Sequence, residues 1–349
     1  MYSSFTIQNF RGFEHLEFND LARINLIAGT NNVGKTSVLE ALMLHSGHFS
    51  PFALMRNAID KQYKVENSFQ WDVLFHNFDP DKKIILTGDH PSFPQLPYVM
   101  EINIVDIRKN QDAYQEIIEL NGFQPSLEGV TPQVLQFKTN EQETFYIVKE
   151  DKKFRLATII LIHVEFSFLM AHEPFSLSLN AERFSKLKVF KKHQRLIDVL
   201  KILEPRLSDL ELLQSGDLPF IYADIGLPKL IPLTQLGAGI NRLADLVLAM
   251  GAASGGIVCI DEIENGLHHS ILKDVWRAIG VAAREFDVQI FATTHSLECI
   301  DAAHQAFSEN GHYDFRYHRI DRRKSGQTVA VTFGQDLLQN AKEANFEVR

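Results

Sequence analysis

An octapeptide, GTNNVGKT from Gly29 to Thr36, limits what this chain can become more tightly than any other feature. It satisfies the pattern G-x-x-x-x-G-K-[ST], and it is wedged between the apolar run Ile24 to Ala28 and the helical pattern Lys35 to His45. That context is what gives such a match meaning. Gly29 and Gly34 permit a tight turn in which successive backbone N–H groups point at phosphate oxygens, and the positive end of the following helix adds to the attraction. Gly29, Thr30, Asn31, Asn32, Val33, Gly34, Lys35, Thr36 and Ser37 are therefore the candidate cradle for a triphosphate. Lys35 is expected along the β- and γ-phosphates, and the Thr36 hydroxyl on a Mg²⁺ ion. The rival, a chance match in a glycine turn, has to ignore the flanking strand and helix.

Two more apolar runs end in polar residues. Ile257 to Ile260 leads into Asp261 and Glu262, within IVCIDEIEN. Asp261 at a strand's carboxyl end is expected to hold the metal through water, and Glu262 to orient and partly deprotonate an attacking water. An exposed acidic turn or helix cap is the alternative. Val288 to Thr293 leads into Thr294-His295-Ser296, where His295 can donate to the γ-phosphate or the water; alternatively Thr294 or Ser296 merely caps the next helix. A fourth candidate, Gln235 to Arg242, carries Gly237 and Gly239 into an apolar helix from Leu243 to Met250. Free N–H groups there suit an anion, such as a second protomer's γ-phosphate; a ligand-free turn remains the other reading.

These units of strand, polar turn and helix predict a doubly wound α/β fold that binds ligands at the carboxyl ends of its strands. Val38, Leu39, Leu42 and Met43 form one apolar stripe, and Leu267 to Phe286 and Leu297 to Phe307 read as helices. Ile84 to Thr87, Tyr98 to Ile107, Val134 to Lys138, Thr144 to Val148 and Ala157 to Val164 read as an inserted antiparallel lobe, with a turn at Asn121-Gly122. From about Ala181 to Leu213 the period is helical until Pro205. The expected organisation is an N-terminal ATPase lobe over 1–180, a helical subdomain over 181–255 and a C-terminal ATPase lobe over 256–349.

With 45% hydrophobic and 23% charged residues among 349, the chain has the usage of a soluble globular protein. Leu156 to Met170 is shorter than the roughly 20 apolar residues a spanning helix needs and contains His163 and Glu165, so it reads as a buried strand. No secretory signal opens the sequence, and the expected compartment is the cytoplasm, with no membrane partner. Cys259 and Cys299 sit in apolar runs and read as reduced core residues. The net charge of −9 offers nucleic acid no general attraction, so a DNA contact would have to be local. A basic run, Arg183, Lys186, Lys188, Lys191, Lys192 and Arg195, reads first as a solvated helix face, and Arg319, Arg322, Arg323 and Lys324 in an expected hairpin turn read the same way. His268 and His269 are neighbours on a helix pattern and do not suit a two-ligand metal site.

Taken in order, GTNNVGKTS, QLGAGINRL, CIDEIENGLHH and ATTHS resemble the ATPase head of the RecF, SMC and OLD-like group within the ABC class, and more narrowly stand-alone prokaryotic AAA-labelled ATPases with an OLD-type head. The opening Ile7 to Phe13 is similar to the first strand and turn of such heads, and Tyr317 to Arg349 to their last hairpin and helix; 50–180 matches only in outline. The resemblance implies a P-loop NTPase fold of ABC ATPase type, a mixed sheet with an antiparallel lobe and a helical signature subdomain. It implies Walker A at Gly29 to Ser37, the Walker B pair at Asp261 and Glu262, a switch histidine at His295, a signature motif at Gln235 to Arg242 and a D-loop at Asn265 to His268. Arg11 resembles an N-terminal arginine that touches nucleotide phosphates in some members.

In such heads ATP is sandwiched between protomers, so the resemblance implies a homodimer or a higher even oligomer with composite sites. The signature lacks the usual serine, and Ala238 stands where many relatives are acidic. Gln70 and Gln136 are equal candidates for a Q-loop. No heptad run suggests coiled-coil arms, and the stretch after His295 is too short for the TOPRIM nuclease domain of OLD proteins. The expectation is an ATP- and Mg²⁺-dependent ATPase that switches a separate effector protein, in phage defence or DNA maintenance. An ATP-gated oligomeric scaffold and a RecF-like DNA-binding repair ATPase are the competing expectations.

Overall fold

The computed structural model describes residues 1–47, 71–93, 96–121, 133–140, 144–150, 153–157, 164–171, 176–216, 218–309, 311 and 313–343. The chain opens with β1 (Phe5–Phe10), β2 (Phe13–Phe18), β3 (Ile24–Gly29) and helix α1 (Lys35–His45). Then come β4 (Ile84–Gly88), β5 (Tyr98–Asp106), α2 (Gln111–Asn121), β6 (Gln133–Thr139), β7 (Thr144–Glu150) and β8 (Lys153–Ala157). β9 (Phe166–Leu169) precedes α3 (Leu177–Val189), α4 (His193–Leu200), β10 (Asp209–Ser215), β11 (Leu218–Asp224) and β12 (Ile231–Pro232). The rest is α5 (Ala238–Ala252), β13 (Ile257–Ile260), α6 (Leu272–Glu285), β14 (Gln289–Thr293), α7 (Leu297–Ser308), β15 (Phe315–Arg322), β16 (Thr328–Phe333) and α8 (Gln335–Glu343).

One sheet has the order β16-β15-β3-β14-β13-β9. All its neighbours run parallel except the β15–β16 hairpin. A second, antiparallel sheet has the order β2-β1-β4-β5-β6-β7-β8, and β10, β11 and β12 form a third. The central parallel strands β3, β14 and β13 are mostly apolar because both faces are covered, and their alternation divides them between two cores. Ile24, Leu26, Val258, Ile260, Ile290 and Ala292 face one core with α5, α6 and α7. Ile27, Ile257, Cys259 and Phe291 face the other, which they share with α1 and with Phe5, Ile7, Ile84 and Leu86 of the antiparallel sheet.

Helix α1 is therefore packed between two sheets. The expected stripe of Val38, Leu39, Leu42 and Met43 is buried, and so is every other residue from Val38 to Ser46: a helix enclosed on all sides has no polar face to keep. Each fully buried leucine there contributes on the order of 1.5–3 kcal/mol through its removal from water.

Three expectations need correction. The helical reading of Ala181 to Leu213 stops at Leu200, and Asp209–Ser215 is a strand paired with β11. Its period is two, with Leu210 buried and its neighbour Glu211 partly exposed, and Pro205 separates the two regimes. The helix expected from Leu267 begins at Leu272, after a left-handed Gly266 and a single turn of 3₁₀ helix at His269–Ile271 capped by His268. Leu156 to Met170 is not one strand: Lys153–Ala157 belongs to the antiparallel sheet and Phe166–Leu169 to the parallel one. Positions 158–163, with most of the strand expected at Ala157 to Val164, lie outside the described residues, as do Gln70 and Gly122.

Trp71, Trp276, Cys259 and Cys299 are all buried, and the two cysteines are unpaired thiols. No helix among the described residues is long and apolar enough to cross a membrane.

Candidate nucleotide site

Three parallel strands deliver the polar turns to one edge. β3 ends at Gly29 and leads through Thr30 to Val33 into α1, whose N-cap is Gly34 at φ 102°. That left-handed geometry strongly favours glycine, and a Cβ at Gly34 would lie 2.5 Å from the Phe13 ring. At Gly29, φ is 142° and a Cβ would meet the Ile320 carbonyl oxygen at 2.5 Å. Both glycines are thus fixed by backbone shape and by a neighbour's contact.

β14 lies between β3 and β13, so the acidic strand is one removed from the turn at Gly29 rather than beside it. The distance is bridged by side chains. Thr36 Oγ1 donates to Asp261, 3.2 Å from each carboxylate oxygen. Thr293 at the end of β14 donates its hydroxyl to Asp261 Oδ1 at 2.6 Å and accepts the backbone N–H of Glu262 at 2.8 Å. Glu262 itself has φ 47°, a conformation costly for a residue with a Cβ and characteristic of functional turns. Its carboxylate is 3.6 Å from His295 Nε2.

Gly29, Thr30, Asn31, Asn32, Gly34, Lys35, Thr36, Ser37, Glu262, Glu264 and His295 line one cavity of about 1090 Å³. Lys35 is buried, its ammonium donating to the carbonyls of Gly29 at 2.8 Å and Thr30 at 3.1 Å. Val33 packs into the core beneath the turn. Ser296 caps α7 by accepting from the Cys299 N–H at 3.1 Å. His295 therefore lines the cavity while its neighbour does the capping.

Arg11 and the glycine pair stand apart from that cavity. Arg11, at φ 50°, reaches Glu40 of α1 with Nε 2.7 Å from Oε2. Burial raises the Glu40 carboxyl to about 7; Arg11 pulls it down, and Asp261 pushes it further up. Gly237, at φ 108°, is the N-cap of α5, and Gly239 lies in that helix's first turn. Neither they nor Arg11 line the cavity. Nearby, burial lowers the Arg242 guanidinium despite Asp245 at 3.7 Å. Gln136 lies in β6, where it accepts from Asn103 at 3.1 Å.

The donor set suits a nucleotide with a hard cation. A cradle that a Cβ would obstruct, a lysine inside it, and one hydroxyl facing one carboxylate offer N–H groups to phosphate and oxygens to Mg²⁺. Sequence reasoning missed Glu264 and Thr293. Thr293 had a signal, a hydroxyl closing the apolar run Ile290 to Ala292; Glu264 had only its place in an acidic turn.

Site and family define an ATPase with a P-loop, on a fold shared with SMC heads. The chain belongs to the AAA ATPase domain family, whose model matches residues 1–214. A further model, described as AAA domain, putative AbiEii toxin, Type IV TA system, matches residues 138–301. An ATP/GTP phosphatase of Helicobacter pylori is 23% identical over 346 residues, covering 88% of this chain and 89% of its own. Among solved structures, an SMC head bound to the C-terminal winged-helix domain of ScpA superposes with a TM-score of 0.53 at 14% identity, covering 97% of this chain and 99% of that one. The SMC head with an extended coiled coil, bound to a ScpA C-terminal domain from Pyrococcus furiosus, gives 0.50 at 12% identity, with 99% of each chain covered. At such identities the likeness is one of fold.

Proposed function

We propose that the chain binds ATP with Mg²⁺ at Gly29 to Ser37, hydrolyses it through Glu262, and uses the cycle to switch a separate effector protein. The observation carrying this reading is the contact of Thr36 with Asp261 at 3.2 Å, with Thr36 lining the same cavity as Glu262 and His295, which lie 3.6 Å apart. Mg²⁺, held by Thr36 and Asp261, would supply charge neutralisation at the β- and γ-phosphates. Lys35 would exchange its carbonyl partners for phosphate oxygens. Glu262 would orient and deprotonate the attacking water, and His295 would donate to the γ-phosphate or to that water. Gly237 and Gly239 do not line the cavity, which fits a role on a second copy, so the reading includes a homodimer or even oligomer with ATP between subunits.

Phage defence and DNA maintenance are the settings proposed for the switch; the match to the family model described as a putative AbiEii toxin supports the first. A RecF-like DNA role through the basic run has less support. Arg183 lies 3.7 Å from Asp245, Lys186 2.8 Å from Glu182, Lys188 3.0 Å from Glu211 and Arg195 3.4 Å from Glu285, which offsets much of the charge a phosphate backbone would need. The deciding experiment is ATP binding and phosphate release by the purified protein and by Glu262→Gln. Binding by both with turnover only in the parent supports the reading. Absence of binding and turnover in the parent, or equal turnover in both, removes it.

A further inference from the structure

Glu264 has no part in the reading above, yet it is the residue through which the acidic turn grips the turn after β14. Its Oε1 accepts the backbone N–H of His295 at 2.8 Å, and its other oxygen is buried without a hydrogen-bond partner among the described residues. The side chain lines the same cavity as Glu262 and His295. The adjoining amides are held differently: Thr294 donates to the Ile27 carbonyl at 3.0 Å, and Ser296 to the Thr294 hydroxyl at 3.0 Å. One position earlier on the acidic turn, the Ile263 N–H donates to the Thr293 carbonyl at 3.0 Å. The two turns are thus fastened at successive points, first by backbone and then by a carboxylate.

We infer that Glu264 is a positioning residue for hydrolysis: it fixes the backbone of His295, and thereby the approach of that imidazole to Glu262. A carboxylate accepting a backbone N–H makes a charge-assisted bond, stronger than the neutral bonds on either side. Among the described residues, the His295 amide is the hydrogen-bond donor that the Glu264 carboxylate meets. The arrangement is explained if the carboxylate is there for the histidine. The inference rests on the proposed ATPase site for its kinetic consequence, though not for the bond itself.

The first test needs no nucleotide. In Glu264→Ala the His295 amide should exchange with deuterium at least about tenfold faster than in the parent chain, the loss expected when a hydrogen bond is removed. Unchanged protection would overturn the inference. The second test is kinetic: Glu264→Ala should lower kcat by roughly 10–10²-fold with KM changed little, as expected when a group is misplaced by a fraction of an ångström. Glu264→Gln keeps an acceptor oxygen and should restore kcat to within about threefold of the parent. A glutamine variant that protects the His295 amide as the parent does, yet is as slow as the alanine, would mean that charge and not the bond to His295 matters, and would refute the clamp.

If Glu264→Ala does not fold, Glu264→Asp, one methylene short of the amide, carries the same predictions. In a His295→Ala background, removing Glu264 should cost nothing further, because both act through one imidazole; additive losses would overturn the inference. Failure here is separable from failure of the functional reading. A parent chain that releases no phosphate sinks the latter and leaves the exchange test standing, whereas a turning-over parent matched by Glu264→Ala sinks only this proposal.

Discussion

Thr36 and Asp261 are 225 positions apart in sequence, and the hydroxyl of one lies 3.2 Å from both carboxylate oxygens of the other. Nothing but the folded sheet brings them together. If this pair holds Mg²⁺, Asp261→Asn should weaken nucleotide binding in the presence of Mg²⁺ far more than in EDTA. Titration of a fluorescent nucleotide under both conditions reads the difference, and equal weakening would argue against a shared metal.

Glu262 sits at φ 47° with its carboxylate directed at His295. Replacement by Gln should leave ATP affinity intact and reduce phosphate release by roughly 10²–10⁴-fold, the usual worth of a general base. Because the bound triphosphate then persists, light scattering with ATP should show a larger particle than without it. No change in mass would disfavour the sandwich.

Gly34→Ala meets two obstacles, a φ of 102° and a Phe13 ring 2.5 Å from the new methyl group. The backbone obstacle alone costs on the order of 1–2 kcal/mol. Trimming the ring in a Gly34→Ala/Phe13→Leu double variant should recover stability only in part, since φ is unchanged, and nucleotide binding should stay impaired. Urea unfolding and nucleotide titration check the two halves of the statement.

Acid should destabilise the protein well before the carboxylates as a group protonate. Burial lowers His45 to about 4, against the carbonyl of Tyr98 that pulls it up, and lowers His90 to about 4 and His318 to about 3. A histidine whose folded value lies below its unfolded one favours folding while neutral, and that advantage is lost as pH falls from about 6.5 towards 4. Glu40, raised to about 7, works the other way and regains stability over the same descent. Three groups against one leave a net loss on the order of 3 kcal/mol between pH 7 and pH 5, at ~1.4 kcal/mol for each pK unit. Urea midpoints that stay level across that range would contradict this, and His45→Gln should flatten the slope.

Much of the site could be read from residue order alone. The glycine-bordered turn, the acidic pair and His295 each follow a short β-branched run, and a run buried on both faces leaves its first polar residue at the sheet's edge. What the order could not supply was the third dimension. The stripe read on α1 was blurred because its fourth side is covered by an antiparallel sheet from elsewhere in the chain. The strand at Asp209–Ser215 was hidden because Leu210, Leu212 and Leu213 satisfy a helical period about as well as an alternating one. Glu264 escaped because a second glutamate in an acidic turn looks like solvent-facing charge until its backbone partner, 31 positions on, is seen.

The enclosure of α1 has a mechanical corollary. From Val38 to Ser46 the helix has no free surface along which to slide, and its far end is moored by the His45 ring to the Tyr2 hydroxyl at 2.7 Å and to the Tyr98 carbonyl at 3.0 Å. A tug on its first turn, where Lys35 and Thr36 sit, must be absorbed by the two sheets that clasp it. One buried helix thus joins the phosphate cradle to the antiparallel sheet, and a displacement at Gly34 cannot be taken up by that helix sliding alone.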